Sequence, residues 1–268
     1  MAEQRQPQQL IDLTSLSSQF RSAVQGLSHE WGFVVVRTAY TADNDEAKWA
    51  AVLSKLRAYA APDSSPAEMD PDSFALPVIA DGILLRGADF ASVRKAFNGW
   101  VDDFTNRERS SRARDDDKEK DDEEWPSDVR RDCCIIIDEP ALASLLKAPD
   151  FVPGKIPELD QEPWVVVLDA ADPKNAPYRG GGPYLGFTRA HARVLSQLYD
   201  DLGSRSLASL TPVREYDGQI PLYDGSSRGK LVDPEGGVHG RYKFPRGTPR
   251  GAEGARAMLE EIERAVGS

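Results

Sequence analysis

Three runs of consecutive apolar, mostly β-branched residues dominate the chain: Phe33-Val34-Val35-Val36, Cys133-Cys134-Ile135-Ile136-Ile137 and Trp164-Val165-Val166-Val167-Leu168. None alternates with polar positions. A strand with one wet face must alternate, so these runs read as strands covered on both faces, as in parallel sheets packed between helices. A fourth segment, Phe74 to Ala80, is interrupted by Pro77. Proline cannot donate to a ladder, so this segment reads as an edge or irregular strand.

Apolar residues at helical spacing lie between and around the strands. Leu13, Leu16, Phe20, Val24 and Leu27 form one stripe, with Asp12 or Thr14 as its cap; Trp49, Val52, Leu53, Leu56 and Ala60 form a second, capped by Asn44 or Asp45. Phe90, Val93, Phe97, Trp100, Val101 and Phe104 form the clearest one. A short helix is predicted over Ala141 to Lys147, and another after Thr188 as cap, with Val194, Leu195, Leu198 and Leu202 inward. The last stripe is Ala255, Met258, Leu259, Ile262 and Val266. Turn residues around Asp217-Gly218 predict a hairpin within Thr211 to Tyr223.

The alternation of strand and helix predicts one α/β domain over residues 1–268, built on a small, mainly parallel sheet covered by helices. Two segments depart from it. Arg107 to Glu124 is almost entirely charged and cannot bury enough surface to offset its ordering entropy, so it reads as a disordered insertion or a frayed continuation of the preceding helix. Residues 211–251 read as a loop-rich, irregular extension.

Composition narrows the functional classes. The chain has 268 residues and a formal net charge of −11. An acidic surface repels phosphate backbones and anionic membranes, so neither nucleic acid nor membrane is expected as a partner. Arg241-Tyr242-Lys243-Phe244-Pro245-Arg246 interleaves basic and aromatic residues, one short patch against that balance. No apolar stretch is long enough to span a bilayer, and residues 1–9 lack an apolar secretory core. The two cysteines, Cys133 and Cys134, are adjacent on a strand and point to opposite faces, so a mutual disulfide is not expected. A reducing, cytoplasmic setting is therefore expected.

The order Val35-Val36-Arg37-Thr38 with Trp49, then Ile135-Ile136-Ile137-Asp138, then Val166-Val167-Leu168-Asp169 resembles families of uncharacterised fungal and bacterial α/β proteins. The likeness covers roughly residues 31–210 without the charged insertion. It implies the same architecture and brings no activity with it.

The chemistry-bearing residues with a shared topological position are Arg37, Asp81, Asp138 and Asp169, each at or just past the end of a predicted strand. In open α/β sheets, ligands bind in the crevice outside the strands' carboxyl ends. If all the strands ran parallel, these four would share one rim, where carboxylates suit a cation and an arginine suits an anion. Asp after a strand also caps turns and helices. His29, His191 and His239 are far apart and no metal-ligand spacing is present, so neither a metal nor a cofactor is expected. Arg179-Gly180-Gly181-Gly182-Pro183-Tyr184-Leu185-Gly186 lacks the register of a phosphate loop and reads as a flexible surface loop. The expectation is a non-catalytic protein that binds a protein or small-molecule partner. The alternative is a metal-dependent hydrolase or phosphoryl-transfer enzyme using the strand-end aspartates. Whether the chain is an enzyme is left open.

Overall fold

The computed structural model describes residues 12–40, 45–61, 70–112, 127–155, 157–158, 161–233 and 238–239. The chain divides into two compact units, residues 1–238 and 239–268, and of the second only His239 is described. The terminal stripe from Ala255 to Val266, the basic patch from Arg241 to Arg246 and the acidic stretch 113–124 lie outside the described residues.

After helix α1 (Leu13–Val24), the first apolar run divides into two short strands, β1 (Trp31–Gly32) and β2 (Val35–Arg37), separated by Phe33-Val34. Helix α2 (Asp45–Ala60) follows. The run around Pro77 divides in the same way, into β3 (Phe74–Ala75) and β4 (Val78–Ile79). Short helix α3 (Gly82–Leu85) leads to long helix α4 (Phe90–Arg112), whose backbone carries the predicted third stripe well into the charged segment. Strands β5 (Asp128–Val129) and β6 (Cys133–Ile137) repeat the two-part pattern.

These three extended segments lie side by side and parallel. Their first halves form a three-stranded sheet, β3-β1-β5, and their second halves, β4-β2-β6, belong to a larger sheet. Trp31 pairs with Phe74 and Val35 with Val78, so the register between the first two segments survives the bend. The carbonyl of Pro77 accepts from Val35 N at 2.8 Å, so proline serves the junction as an acceptor. Gly32 sits at the bend with φ 137°, and a Cβ there would strike the carbonyl of Ala75. Both the backbone conformation and the close approach require glycine.

Helix α5 (Glu139–Lys147) follows β6, and then comes β7 (Trp164–Asp169). Strand β7 is antiparallel to β6, with Cys133 opposite Asp169 and Ile136 opposite Val166. Strand β8 (Phe187–His191) is antiparallel to β7 in turn. Helices α6 (Leu195–Ser204) and α7 (Leu207–Leu210) precede β9 (Ile220–Tyr223), which is parallel to β8. Strand β10 (Lys230–Val232) returns antiparallel, and β11 (Val238–His239) ends the described chain. Among the described residues the larger sheet has eight strands in the order β11-β10-β9-β8-β7-β6-β2-β4.

The α/β character is as expected, and Phe74 to Ala80 lies at the sheet edges. The parallel arrangement of the three apolar runs is corrected: β2 and β6 are parallel, and β7 is reversed. Two local expectations also change. The segment after Thr188 is strand β8 rather than helix, and the helix begins only at Leu195. The hairpin is β9–β10, closed over residues 224–229, rather than around Asp217-Gly218.

Successive residues of the central strands feed opposite cores. Val35, Ile135, Ile137, Val165, Val167 and Ala190 face one core, covered by Leu56 and Tyr59 of α2, Leu142 and Leu145 of α5 and Leu198 of α6. Val34, Val36, Cys134, Ile136, Val166 and Leu168 face the other, covered by Leu16 and Phe20 of α1 and Phe97 and Trp100 of α4. Phe20 is stacked on Trp100 at 5.7 Å and meets Phe97 edge-on at 5.2 Å. The two cores are separated by the sheet, so their losses should add. Leu16→Ala and Leu56→Ala should each cost about 2–5 kcal/mol in urea unfolding. The double variant should equal their sum within about 0.5 kcal/mol. A coupling well above that would mean the sheet does not insulate the two sides.

Candidate functional site

The reversal of β7 decides which strand ends meet. The carboxyl ends of β4, β2 and β6 share one rim, because these strands are parallel neighbours. Arg37, Asp81 and Asp138 are therefore on that rim. Arg37, 4% exposed, is fully engaged there. Its Nε donates to the carbonyl of Ala39 at 2.8 Å, its Nη2 is ion-paired with Asp45, and its guanidinium lies over the rings of Tyr40 and Trp49 at 4.3 and 4.6 Å. Asp81 caps α3 through the amides of Ile83 and Leu84. Asp138 caps α5 through Ala141 N at 2.9 Å. Burial raises the Asp138 carboxyl above its ordinary range, opposed by that amide and by the charge of Arg189, which lies 3.7 Å over the ring of Trp164. The capping roles are those that Asp after a strand commonly has.

Asp169 is on the opposite rim, beside Cys133 at the start of β6. The expected convergence of Asp138 and Asp169 is therefore corrected: antiparallel neighbours place their carboxyl ends at opposite edges of the sheet. Among the described residues, no group of three or more His, Cys, Asp and Glu side chains is placed to hold a metal ion. Both cysteines are buried and unpaired, and burial pushes the Cys134 thiol up to about 12, which leaves no nucleophilic thiolate near neutral pH.

Asp169 instead anchors the wall of a cavity. Its carboxylate accepts from Ala171 N at 2.9 Å and from the hydroxyl of Tyr184 at 2.8 Å. Burial raises its pKa, and the same burial raises that of Tyr184, helped by the Asp169 charge. Tyr184 belongs to the glycine-rich stretch, which is not a free surface loop. Gly181, at φ 74°, lies so close to the carbonyl of Arg214 that a Cβ there would strike it. Gly182 N donates to that same carbonyl at 2.8 Å, and Arg179 Nη1 donates to the carbonyls of Ala208 and Thr211. The loop is thus tied to the segment 208–214. Between them is a cavity of about 190 Å³ whose walls include Pro173, Pro177, Pro183, Pro212 and Pro221, with Tyr184, Leu185 and Val213. Arg214, 7% exposed, forms part of the lining, and Tyr178, 84% exposed, lies in it as well.

A second concavity, lined by residues 127–132 and Tyr199, follows from three extra residues in the β5–β6 register relative to β1–β2. Arg130 dominates it and is already held by the Asp132 carboxylate and the carbonyl of Leu202.

The cavity residues were missed in the sequence because glycine drew attention away from proline. The available signal was the repetition of Pro173, Pro177, Pro183, Pro212 and Pro221 around tyrosines and arginines. Proline presets the backbone and removes donors, so such loops hold shape at low entropic cost.

One further buried group carries a pH signature. His191, 1% exposed, ends β8 with neither ring nitrogen hydrogen-bonded; its Nε2 is 3.4 Å from Glu162 Oε2. Glu162 is itself ion-paired with Arg193. Burial, then the charges of Arg193 and Lys230, push His191 down to about 4 from an ordinary 6.5. A lowered histidine pKa means that the unfolded chain binds the extra proton first. Stability from this site is complete above about pH 6.5 and is lost as pH falls toward 4, by about 3 kcal/mol. Urea unfolding across that window should show the loss, and His191→Gln should flatten it. An unchanged slope in the variant would assign the titration to other groups.

Comparison of the chain with protein families, with characterised proteins and with solved structures gave no match.

Proposed function

We propose that this protein binds a small molecule in the proline-walled cavity between the loop 173–185 and the segment 208–214. The observation that carries the reading is that the cavity's walls are fixed to one another by hydrogen bonds within the chain. Its glycine-rich wall is tied by backbone and arginine hydrogen bonds to the facing segment, and its tyrosine is tied to a buried aspartate. Mostly apolar walls with a few fixed polar groups are the usual character of small-ligand sites, and they occur at sheet ends and between loops on a rigid scaffold. An apolar cavity of about 150 Å³ can hold benzene, so this one, at about 190 Å³, has room for a molecule of one ring and a short substituent.

The metal-dependent reading loses the geometry on which it rested, because Asp138 and Asp169 occupy opposite rims. Arg37 and Asp81 act as structural partners on the first rim. Asp169 keeps a link to the site through Tyr184.

The test is ligand-dependent stabilisation with a cavity-filling control. A ligand at a hundred times its Kd should raise the unfolding free energy by about 2.7 kcal/mol. Ala208 lines the cavity from α7 and is half-buried, so Ala208→Trp should occupy the space while leaving both cores untouched. The melting temperature of that variant should stay near the parent value and no longer respond to a ring-sized ligand. A response retained in Ala208→Trp would place binding elsewhere.

A further inference from the structure

We infer that the ligand is a small aryl carboxylate, a single ring carrying one anionic group, recognised by Arg214. This rests on the reading of the cavity as a ligand site and specifies what that site takes.

The argument starts from an arginine with too few acceptors. The Arg214 side chain is 8% exposed, and the one ion pair described for its guanidinium is long. Nη2 donates to the carbonyl of Pro183 at 2.9 Å. Nη1 is 3.6 Å from the carboxylate of Asp217, whose side chain is 98% exposed and therefore solvated and screened. Nε is buried and has no hydrogen-bond partner. A guanidinium withdrawn from water with its donors incompletely met is costly, and an anion at the cavity would add to the Nη side the close acceptor that Asp217 supplies only from solvent. Arg37 shows the remedy completed within the chain: a carbonyl on Nε, a carboxylate on Nη2 and aromatic faces on both sides. Arg214 shows it incomplete.

The rest of the lining selects the partner. Lys174, Arg179 and Arg214 contribute to the walls, and no Asp or Glu does. Asp169 and Asp217 touch lining residues from outside the walls, so the cations outnumber the nearby carboxylates even on a chain with a formal net charge of −11. Arg179 is spent on the carbonyls of Ala208 and Thr211, which leaves Arg214 as the deep cation. The remaining walls are proline rings, Leu185, Val213 and Tyr184, which suit a flat apolar body and offer little to a sugar or a polyphosphate. Size sets the upper bound at about one ring, by the benzene comparison above.

The experiment measures Kd by calorimetry on the full chain for benzoate and phenylacetate, each beside its neutral amide, benzamide and phenylacetamide. Each acid should bind at least about tenfold tighter than its amide, as expected when one charge-assisted hydrogen-bonded pair is exchanged for a neutral one. Arg214→Gln should abolish that ratio by weakening the acids while leaving the amides nearly unchanged. Should Arg214→Gln fail to fold, Arg214→Lys retains the charge without the fork and should lower the ratio; the parent's acid-to-amide ratio decides the matter in either case. Acids and amides binding equally, with binding lost in Ala208→Trp, would overturn the carboxylate assignment and leave the cavity reading intact. No binding of any of the four probes would overturn the assignment of ligand class, and if ring-sized neutral probes also failed to shift the melting temperature, the cavity reading would fall with it.

Discussion

Strands β2, β6 and β7 are buried on both faces, and this single constraint organises the molecule. No position along Val35–Arg37 or Cys133–Ile137 looks into water, so helices must cover both sides of the sheet. The chain meets this with α1 and α4 on one face and α2, α5 and α6 on the other, each contributing a stripe rather than an all-round apolar surface. The two-part strands extend the same solution. By continuing β2, β4 and β6 backwards into β1, β3 and β5, the chain places Trp31 where it can meet Phe74 at 4.7 Å and Tyr199 at 5.0 Å, and its indole nitrogen can donate to the carbonyl of Asp70. A bulky ring is buried there without orphaning its one donor.

Covering both faces leaves the sheet's ends as the places where polar groups can collect, and strand direction sorts them. On one rim, Arg37, Asp81 and Asp138 are absorbed by caps, a carbonyl, an ion pair and aromatic faces. The same rim holds His191 and Glu162, where Arg193 engages the carboxylate and the histidine is left neutral. A buried charge with a partner removed costs several kcal/mol, so these groups are best read as interlocked structure. The other rim differs. There Asp169 is satisfied by Ala171 N and Tyr184, and Arg214 is deeply buried with an Nε that has no hydrogen-bond partner. The proposed site lies at this second rim, between the loop that carries Tyr184 and the segment that carries Arg214.

The sequence was informative about elements and uninformative about direction. A continuous apolar run states that both faces are dry, and Cys133–Ile137 and Trp164–Leu168 proved to be such strands, whereas of Phe33–Val36 only Val35-Val36 is strand and Phe33-Val34 form the buried junction before it. It carries no mark of which end points where. Direction is set by what lies between strands, and residues 138–163 contain a nine-residue helix followed by a proline-rich return that delivers β7 from the same rim at which β6 ends. Strand β8 was hidden for a different reason. Thr188, Ala190 and His191 are its buried positions, whereas Phe187 and Arg189 are half-buried, an alternation too short to compete with the helical stripe beginning at Val194. Helix α4 was legible because its stripe is long and aromatic.

The candidate site was the least legible part because its signal is distributed. Pro173 and Pro221 are forty-eight positions apart, and only the strand order β7-β8-β9 brings their loops together. What the local sequence does show is a division of labour between two residue types. Gly181 and Gly182 allow the backbone to press against Arg214, which no side-chain-bearing residue could do at φ 74°. The prolines on either side then limit the conformations the loop can lose on binding, so little ordering entropy opposes a ligand. Glycine alone would make this segment mobile, and proline alone would hold it away from Arg214. Together they produce a wall that is both close and stiff, which is what a cavity must have if a ligand no larger than one ring is to be held by a single buried arginine.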